Sequence, residues 1–436
     1  MNQQSNYRGL RPNHGYPRDK GSPEASQDKL QNAALNTAGK VLVVGSLNMD
    51  YVLTTERLPL KGETLPARDF LKVHGGKGMN QAVALSRLSE GQIIPTMIGC
   101  LGRDRDGEEL LRGLEEASIA TESIQRREDI KTGIAFITVS DTGDNTIVVH
   151  PGSNHGLTSQ WVLDAIHKHR NASMLVLQME IPLEIITKTI DIAYDYGIPV
   201  VLNPSPFKAL PKETLEKVHT LVVNQVEAEQ VATSIKALPE DATAEDNPPQ
   251  SKVSKGSLQR AQQRTEQDPE TPRKPPAEVA EEKTLFHAPD PKNLVVALAQ
   301  TKIPQIILTL GDQGVYYNVG AGFLGTADSH GPEEPAVAGQ DSANGSPGAF
   351  EERRTDGGEE DRTTVQHQRA IKVPVVDPTA AGDSFLGAYV AGRSLGYSLE
   401  QAINYGIYAG ALAVTKSGAQ PSIPTKQDLL NAGWRE

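Results

Sequence analysis

A single cysteine, Cys100, stands in 436 residues, so no disulfide can form within the chain and a reducing compartment is the simplest reading. Positive charge is also scarce: 43 Lys and Arg against 55 Asp and Glu give a net charge of −12. Neither nucleic acid nor an anionic membrane attracts such a surface, which excludes both as general partners. Nowhere do about 18 apolar residues run together, the length a membrane span needs. Residues 1–39 have no apolar core segment, which argues against a secretory signal, and Asp19, Glu24 and Asp28 weaken a mitochondrial reading. A cytoplasmic protein is expected, with the nucleus as a further compartment.

Hydrophobic residues make up only 37% of the chain, which points to parts that do not fold. Glu240 to Lys283 holds one leucine and no aromatic residue. Gly325 to Arg369 holds no Leu, Ile, Trp or Tyr and is dominated by Gly, Glu, Asp, Ser and Pro. Neither can bury enough apolar surface to offset the entropy of ordering its backbone. Both are expected to be disordered insertions, as is the polar tail 1–39.

What remains, 40–239, 284–324 and 370–436, alternates strands with helices. Lys40 to Gly45 is a continuous apolar run, the form of a strand buried on both faces. Helices are expected over Asn80–Leu88, Asp106–Ala117, Pro182–Tyr196, Gly382–Leu395 and Leu399–Lys416. Further strands are expected over Thr96–Cys100, Met174–Gln178, Pro199–Leu202, Leu221–Asn224 and Gln305–Thr309. This repetition argues for a parallel sheet covered by helices. Tyr51–Thr55, Thr64–Val73 and Gly133–Val149 read as short strands without helices between them, forming a small separate sheet that serves as a lid.

The chemistry-bearing residues fall at strand ends, where open α/β sheets hold ligands. Gly45-Ser-Leu-Asn48-Met-Asp50 follows the first strand; an amide and a carboxylate there suit vicinal hydroxyls, although the same letters write an Asx turn. His74-Gly-Gly-Lys77-Gly-Met-Asn80 leads into a helix, with glycines that admit a close ligand, but its spacing is not that of a Walker A loop. Glu180 ends one strand and Asn203 another. Asn224-Gln-Val-Glu227 puts two oxygen donors on one face of a helical turn, fit either for a water-bridged Mg²⁺ or for a simple N-cap. Asp377-Pro-Thr-Ala-Ala-Gly-Asp383 lies between an expected apolar strand and a long helix. Its small residues leave the amides of Ala381, Gly382 and Asp383 uncovered as an anion hole, and Asp383 can accept a proton from an attacking hydroxyl.

Together these segments resemble the ribokinase-like, or phosphofructokinase-B, family of carbohydrate kinases. The Gly-Gly-Lys-Gly-x-Asn run and the Asp-x-x-x-Ala-Gly-Asp run match its two diagnostic segments. Gly45-Ser-x-Asn48-x-Asp50, Thr309-Leu-Gly311-x-x-Gly314 and Gly418-Ala-Gln-Pro-Ser422-x-Pro424 match in addition, in order along the chain. The resemblance implies a three-layer α/β fold with a parallel sheet and a small β-sheet lid. It also implies ATP-dependent transfer to the 5-hydroxyl of ribose.

By the same resemblance, Asn48, Asp50, Gly76, Lys77, Asn80 and Glu180 fall on sugar contacts. Asp383 falls on the base, and Ala380, Ala381 and Gly382 on the anion hole. Asn224, Thr309, Gly311, Gly314 and Gly382 fall beside ATP, and Glu227 on Mg²⁺ through water. Asp377, Thr379, Ala413, Lys416, Gly418 and Ser422 fall on a K⁺ site, and a homodimer through the lid strands is implied. Ala380 departs from the glycine common at its place, and Val223 from a frequent proline. Other acceptors (fructose, deoxyribose, a nucleoside such as adenosine) and a catalytically silent regulatory relative stay open as alternatives. An NAD-linked oxidoreductase is disfavoured, since no strand leads into Gly-x-Gly-x-x-Gly.

Overall fold

The computed structural model describes residues 39–237, 290–319 and 364–436. The expected tail before Gly39, the insertion 240–283 and residues 325–363 of the second insertion lie outside them.

Nine strands form the main sheet, in the order β13-β12-β11-β10-β9-β8-β1-β4-β5. They are β1 Val41–Val44, β4 Thr96–Gly102, β5 Ala120–Arg127, β8 Met174–Gln178, β9 Val200–Asn203, β10 Thr220–Asn224, β11 Gln305–Thr309, β12 Val315–Val319 and β13 Thr364–Gln368. Neighbours from β5 across to β11 pair parallel, while β12 and β13 add an antiparallel edge. The β13 strand is a correction, because it lies within the stretch expected to be disordered. The apolar strand expected before Asp377 is absent: 369–377 is irregular, with Val375 67% and Val376 61% exposed.

The apolar run of β1 alternates between two cores, as a strand covered on both faces must. Val41 and Val43 face one cluster with Met79 and Leu85 of α1 (Lys77–Leu88), Phe385 and Tyr389 of α8 (Ala381–Ser394) and Ile403 of α9 (Leu399–Ala413). Leu42 and Val44 face the other, with Ile166 of α3 (Ser159–Lys168), Ile186 of α4 (Leu183–Asp195), Val231 of α6 (Gln225–Ala237) and Leu294 of α7 (Pro291–Ala299). All four strand residues are fully buried. Each such side chain is worth about 1.5–3 kcal/mol of transfer free energy, so the helix–sheet–helix sandwich is the dominant stabilising feature. Caps set the helix starts: Asp104 accepts from the Gly107 amide at the head of α2 (Arg105–Glu116), and Ser398 and Gln401 close a capping box on α9. Short helices α5 (Lys212–Leu215), α10 (Ala419–Ser422) and α11 (Lys426–Asn431) complete the set.

The smaller sheet has the order β3-β2-β6-β7, from β2 Asn48–Thr55, β3 Asp69–Gly75, β6 Gly133–Ser140 and β7 Asn145–His150. Residues 133–149 thus form a hairpin rather than one strand, and β3 begins at Asp69 rather than Thr64. Tyr51, Lys72 and Phe136 lie side by side across three strands. Tyr51 donates to Asp106 at 2.8 Å, and Lys72 pairs with Asp106 at 2.8 Å and Glu109 at 2.7 Å, which ties this sheet to α2.

Candidate active site

The chain leaves the carboxyl end of β1 at Gly45 and enters β2 at Asn48, so the two sheets meet where Asn48 and Asp50 lie. Asn154 fixes Asn48: its Nδ2 donates to Asn48 Oδ1 at 2.7 Å and to the Leu47 carbonyl at 3.2 Å, while its Oδ1 accepts from Leu47 N at 2.9 Å. With Oδ1 so engaged, Asn48 is left to donate from its Nδ2. Asp50 is 8% exposed, and its Oδ1 has no hydrogen-bond partner among the described residues. Burial, reinforced by the negative charge of Glu180, pushes its pKa up to about 7.

Glycine is required where β3 meets α1. Gly76 has φ +87°, and a Cβ there would lie 2.9 Å from the Asn48 amide nitrogen. A Cβ on Gly75 would overlap the Asp50 carboxylate at 2.0 Å. The close approach sets Lys77 and Asn80 against the β1–β2 connection. Glu180 Oε2 accepts from Ser46 Oγ at 2.5 Å and from Lys77 N at 3.0 Å, so one of its oxygens serves the scaffold by holding the helix start. Burial opposes the Lys77 charge, but the carboxylates of Asp383, Glu180 and Glu227 outweigh it and hold its pKa above the usual lysine value. Its ammonium therefore stands in the field of three widely separated motifs.

Asp383 is 7% exposed in the first turn of α8. Its Oδ2 accepts from Asn80 Nδ2 at 3.0 Å and its Oδ1 from Gln81 Nε2 at 2.9 Å, bonds that span about 300 positions of sequence. Asn80 Oδ1 is buried without a partner among the described residues. Helices α1 and α8 come close enough for this because a Cβ at Gly387 would fall 2.3 Å from the Ala84 methyl. Asn80 and Asp383 lie one turn earlier on the two helices.

At the same helix start, Ala380 adopts the left-handed conformation, φ 60° and ψ 8°, which costs a non-glycine residue about 1–2 kcal/mol. The Ala381 amide donates to the Pro378 carbonyl at 3.3 Å, which removes it from the expected trio of free amides. The Gly382 and Asp383 amides remain for the anion hole. Gly382 is exposed, and a Cβ on it would meet nothing within 4 Å.

Asn224 and Glu227 cap each other: Glu227 Oε2 accepts from Asn224 N at 3.0 Å and Asn224 Oδ1 from Glu227 N at 2.9 Å. The N-cap reading of this pair is thus realised, and one Glu227 oxygen is left over. Asn224, Thr309 and Gly311 line a common cleft of about 280 Å³ with Val226 and Gln313. Gly314 does not line it; a Cβ there would lie 2.1 Å from the Gln368 carbonyl, so its role is to let β13 pass. A larger cavity of about 440 Å³, lined by His74, Arg87, Glu116 and Gln420 among others, contains none of the expected site residues.

Asp377 joins two loops, its Oδ1 accepting from Thr379 N at 2.9 Å and its Oδ2 from Gly418 N at 2.8 Å. The Val414 carbonyl accepts from the Val376 and Asp377 amides at 2.7 and 3.1 Å. Ser422 is fully buried and donates to the Ala419 carbonyl at 2.7 Å. The carboxylate thereby joins Thr379 to Gly418, while past the end of α9 the Lys416 amide donates to the Ala413 carbonyl at 3.3 Å. Among the described residues, no group of three or more His, Cys, Asp or Glu is placed to hold a metal ion by itself.

The pattern-based reading missed Gln81, Gln178, Asn154 and Ser46. Only the neighbours that the fold supplies distinguish these from ordinary polar residues; Gln81 sat beside a motif residue, which was the one signal present.

Residues 38–252 and 358–426 match the model of the pfkB family of carbohydrate kinases. The chain is 31% identical over 392 residues to a ribokinase of Staphylococcus aureus, covering 89% of this chain and 98% of the relative. Among solved structures, a ribokinase of Thermotoga maritima superposes with a TM-score of 0.62 at 24% identity, covering 90% of this chain and 98% of that one. A ribokinase of Arabidopsis thaliana, solved with ribose and ATP, superposes with a TM-score of 0.59 at 22% identity, covering 91% and 98%.

Proposed function

The chain belongs to the pfkB family of carbohydrate kinases and is a phosphotransferase, and from that premise we propose that it moves the γ-phosphoryl group of ATP to the 5-hydroxyl of ribose. The observation that carries the acceptor half is the pair of buried, unpartnered oxygens, Asp50 Oδ1 and Asn80 Oδ1. Burying such acceptors costs about 1–3 kcal/mol each unless a donor arrives. Sugar hydroxyls are such donors, and the free Asn48 amide supplies the complementary donor to a sugar oxygen. The Arabidopsis relative, which holds ribose and ATP, supports the choice of both substrates.

In this reading Asp383 is the general base. The sugar oxygen forms a bond to the γ-phosphorus as the bond to the bridging oxygen of ADP breaks, and the hydroxyl proton passes to the Asp383 carboxylate. The Gly382 and Asp383 amides, at the positive end of α8, face the charge that develops on the transferred group. Lys77 adds a fixed positive charge. The cleft beside Asn224, Thr309 and Gly311 takes the nucleotide.

Mg²⁺ would suit this site: the remaining Glu227 oxygen would hold it through water, and the ion would neutralise charge on the nucleotide phosphates. The Asp377 carboxylate and the backbone carbonyls of Thr379, Ala413, Lys416, Gly418 and Ser422 would be the oxygen donors to a K⁺ ion. Bound there, K⁺ would add positive charge behind the anion hole.

The test is ADP release with ATP across free pentoses, hexoses and nucleosides, run in K⁺ and in Na⁺ buffers. Ribose turning over fastest, and faster in K⁺, is the expected result. Preference for deoxyribose, fructose or adenosine would overturn the acceptor, equal rates in both salts would overturn the cation site, and no turnover at all would indicate a silent relative.

A further inference from the structure

The base is held by a chain of side-chain amides that begins on the central sheet. Gln178 closes β8 and is completely buried; its Nε2 donates to Gln81 Oε1 at 2.5 Å. Gln81, 1% exposed on α1, donates from its Nε2 to Asp383 Oδ1 at 2.9 Å. The second hydrogen of that nitrogen points toward Asn203 Oδ1 at 3.5 Å, and Asn203, at the end of β9, is turned by its own donation to the Val222 carbonyl at 3.1 Å.

The direction of this chain follows from the chemistry of the carboxylate. An ionised carboxylate can only accept, so Gln81 must turn its NH₂ to Asp383 and its oxygen away. That oxygen faces Gln178, which must then present NH₂ in turn. Every dipole in the chain points the same way, and aligned amide bonds in a dry interior reinforce one another. The two helices also meet through apolar atoms, at the close approach of Gly387 to Ala84.

We infer that Gln81, oriented by Gln178 and Asn203, is a positioning residue for Asp383: it fixes the rotamer of the carboxylate that is to receive the sugar proton. The inference rests on Asp383 being the base. A carboxylate free to rotate spends less time aligned, which lowers turnover without touching the sugar contacts.

The experiment compares kcat and KM for ribose in the wild type, Gln81→Met, Gln178→Met and Gln81→Glu, with Asp383→Asn alongside and thermal unfolding of each. Gln81→Met is expected to lower kcat about 10- to 100-fold with KM nearly unchanged. Gln178→Met, one bond further out, lowers kcat by less, again with KM nearly unchanged. Gln81→Glu keeps the shape but opposes the charge, and lowers kcat further than Gln81→Met. Variants that melt earlier or raise KM while kcat stays near that of the wild type would overturn the relay and leave a purely structural role. If Asp383→Asn itself retains turnover, it is the base assignment that falls, and the two failures are told apart by that arm.

Discussion

Asp50 shows how a buried residue can be costly in the free protein and useful in the complex. Burial and the neighbouring Glu180 charge raise its pKa to about 7 from 3.8. The folded chain therefore holds a proton there that the unfolded chain loses between about pH 4 and 7, and stability falls as pH rises through that window. Asp50→Asn should remove this penalty and stabilise the free protein at pH 8 by up to about 4 kcal/mol, read as a higher Tm. Sugar hydroxyls donating to the carboxylate favour its ionised form, so ribose binds more tightly at pH 8 than at pH 6 and expels protons at pH 7. Calorimetry in buffers of different ionisation enthalpy reads that proton release directly; a buffer-independent heat would contradict it. The sequence made Asp50 and Asn48 visible because they follow a strand in a polar pair. It could not reveal that Asn154 orients Asn48, since an Asn that holds a loop and an Asn that caps a turn are the same letter.

At the scale of elements, the two active-site helices and the parallel strands were legible because their apolar periods are long and unambiguous, as in β1 and α9. The edge strand β13 was not: Thr-Val-Gln-His-Gln is polar, and only the ladder offered by β12 makes it a strand. The chain before Asp377 failed in the opposite sense, being apolar without a partner strand. The lid sheet was legible in outline, and its surface carries a consequence. Phe70, Leu71, Phe136, Ile147, Val148 and Val149 are each about half exposed or more, a concentration of apolar side chains that monomers seldom leave in water. The lid proposal is that a second copy covers them. Sedimentation should give a dimer, and Ile147→Asp with Val149→Asp should return a monomer with a higher KM for ribose; a monomeric wild type at micromolar concentration would rule the dimer out.

For the molecule as a whole, the arrangement places each chemical duty on a different strand end and lets the helix pair α1–α8 bring them together. In the proposed reaction sugar recognition would come from the β1–β2 connection, the scaffold carboxylate Glu180 from beyond β8, the nucleotide cleft from β10 and β11, and proton acceptance from α8. No segment holds a complete site, which is why motifs read singly were weak and their order along the chain was informative. The central claim is that Asp383 takes the proton while the rest of the site binds. Asp383→Asn keeps the size of the side chain and its place beside Asn80 and Gln81, and removes the base. Measured with ribose and ATP, the variant should bind ribose within a few-fold of the wild type while kcat falls by about 10²–10⁴. Turnover close to that of the wild type would contradict the account.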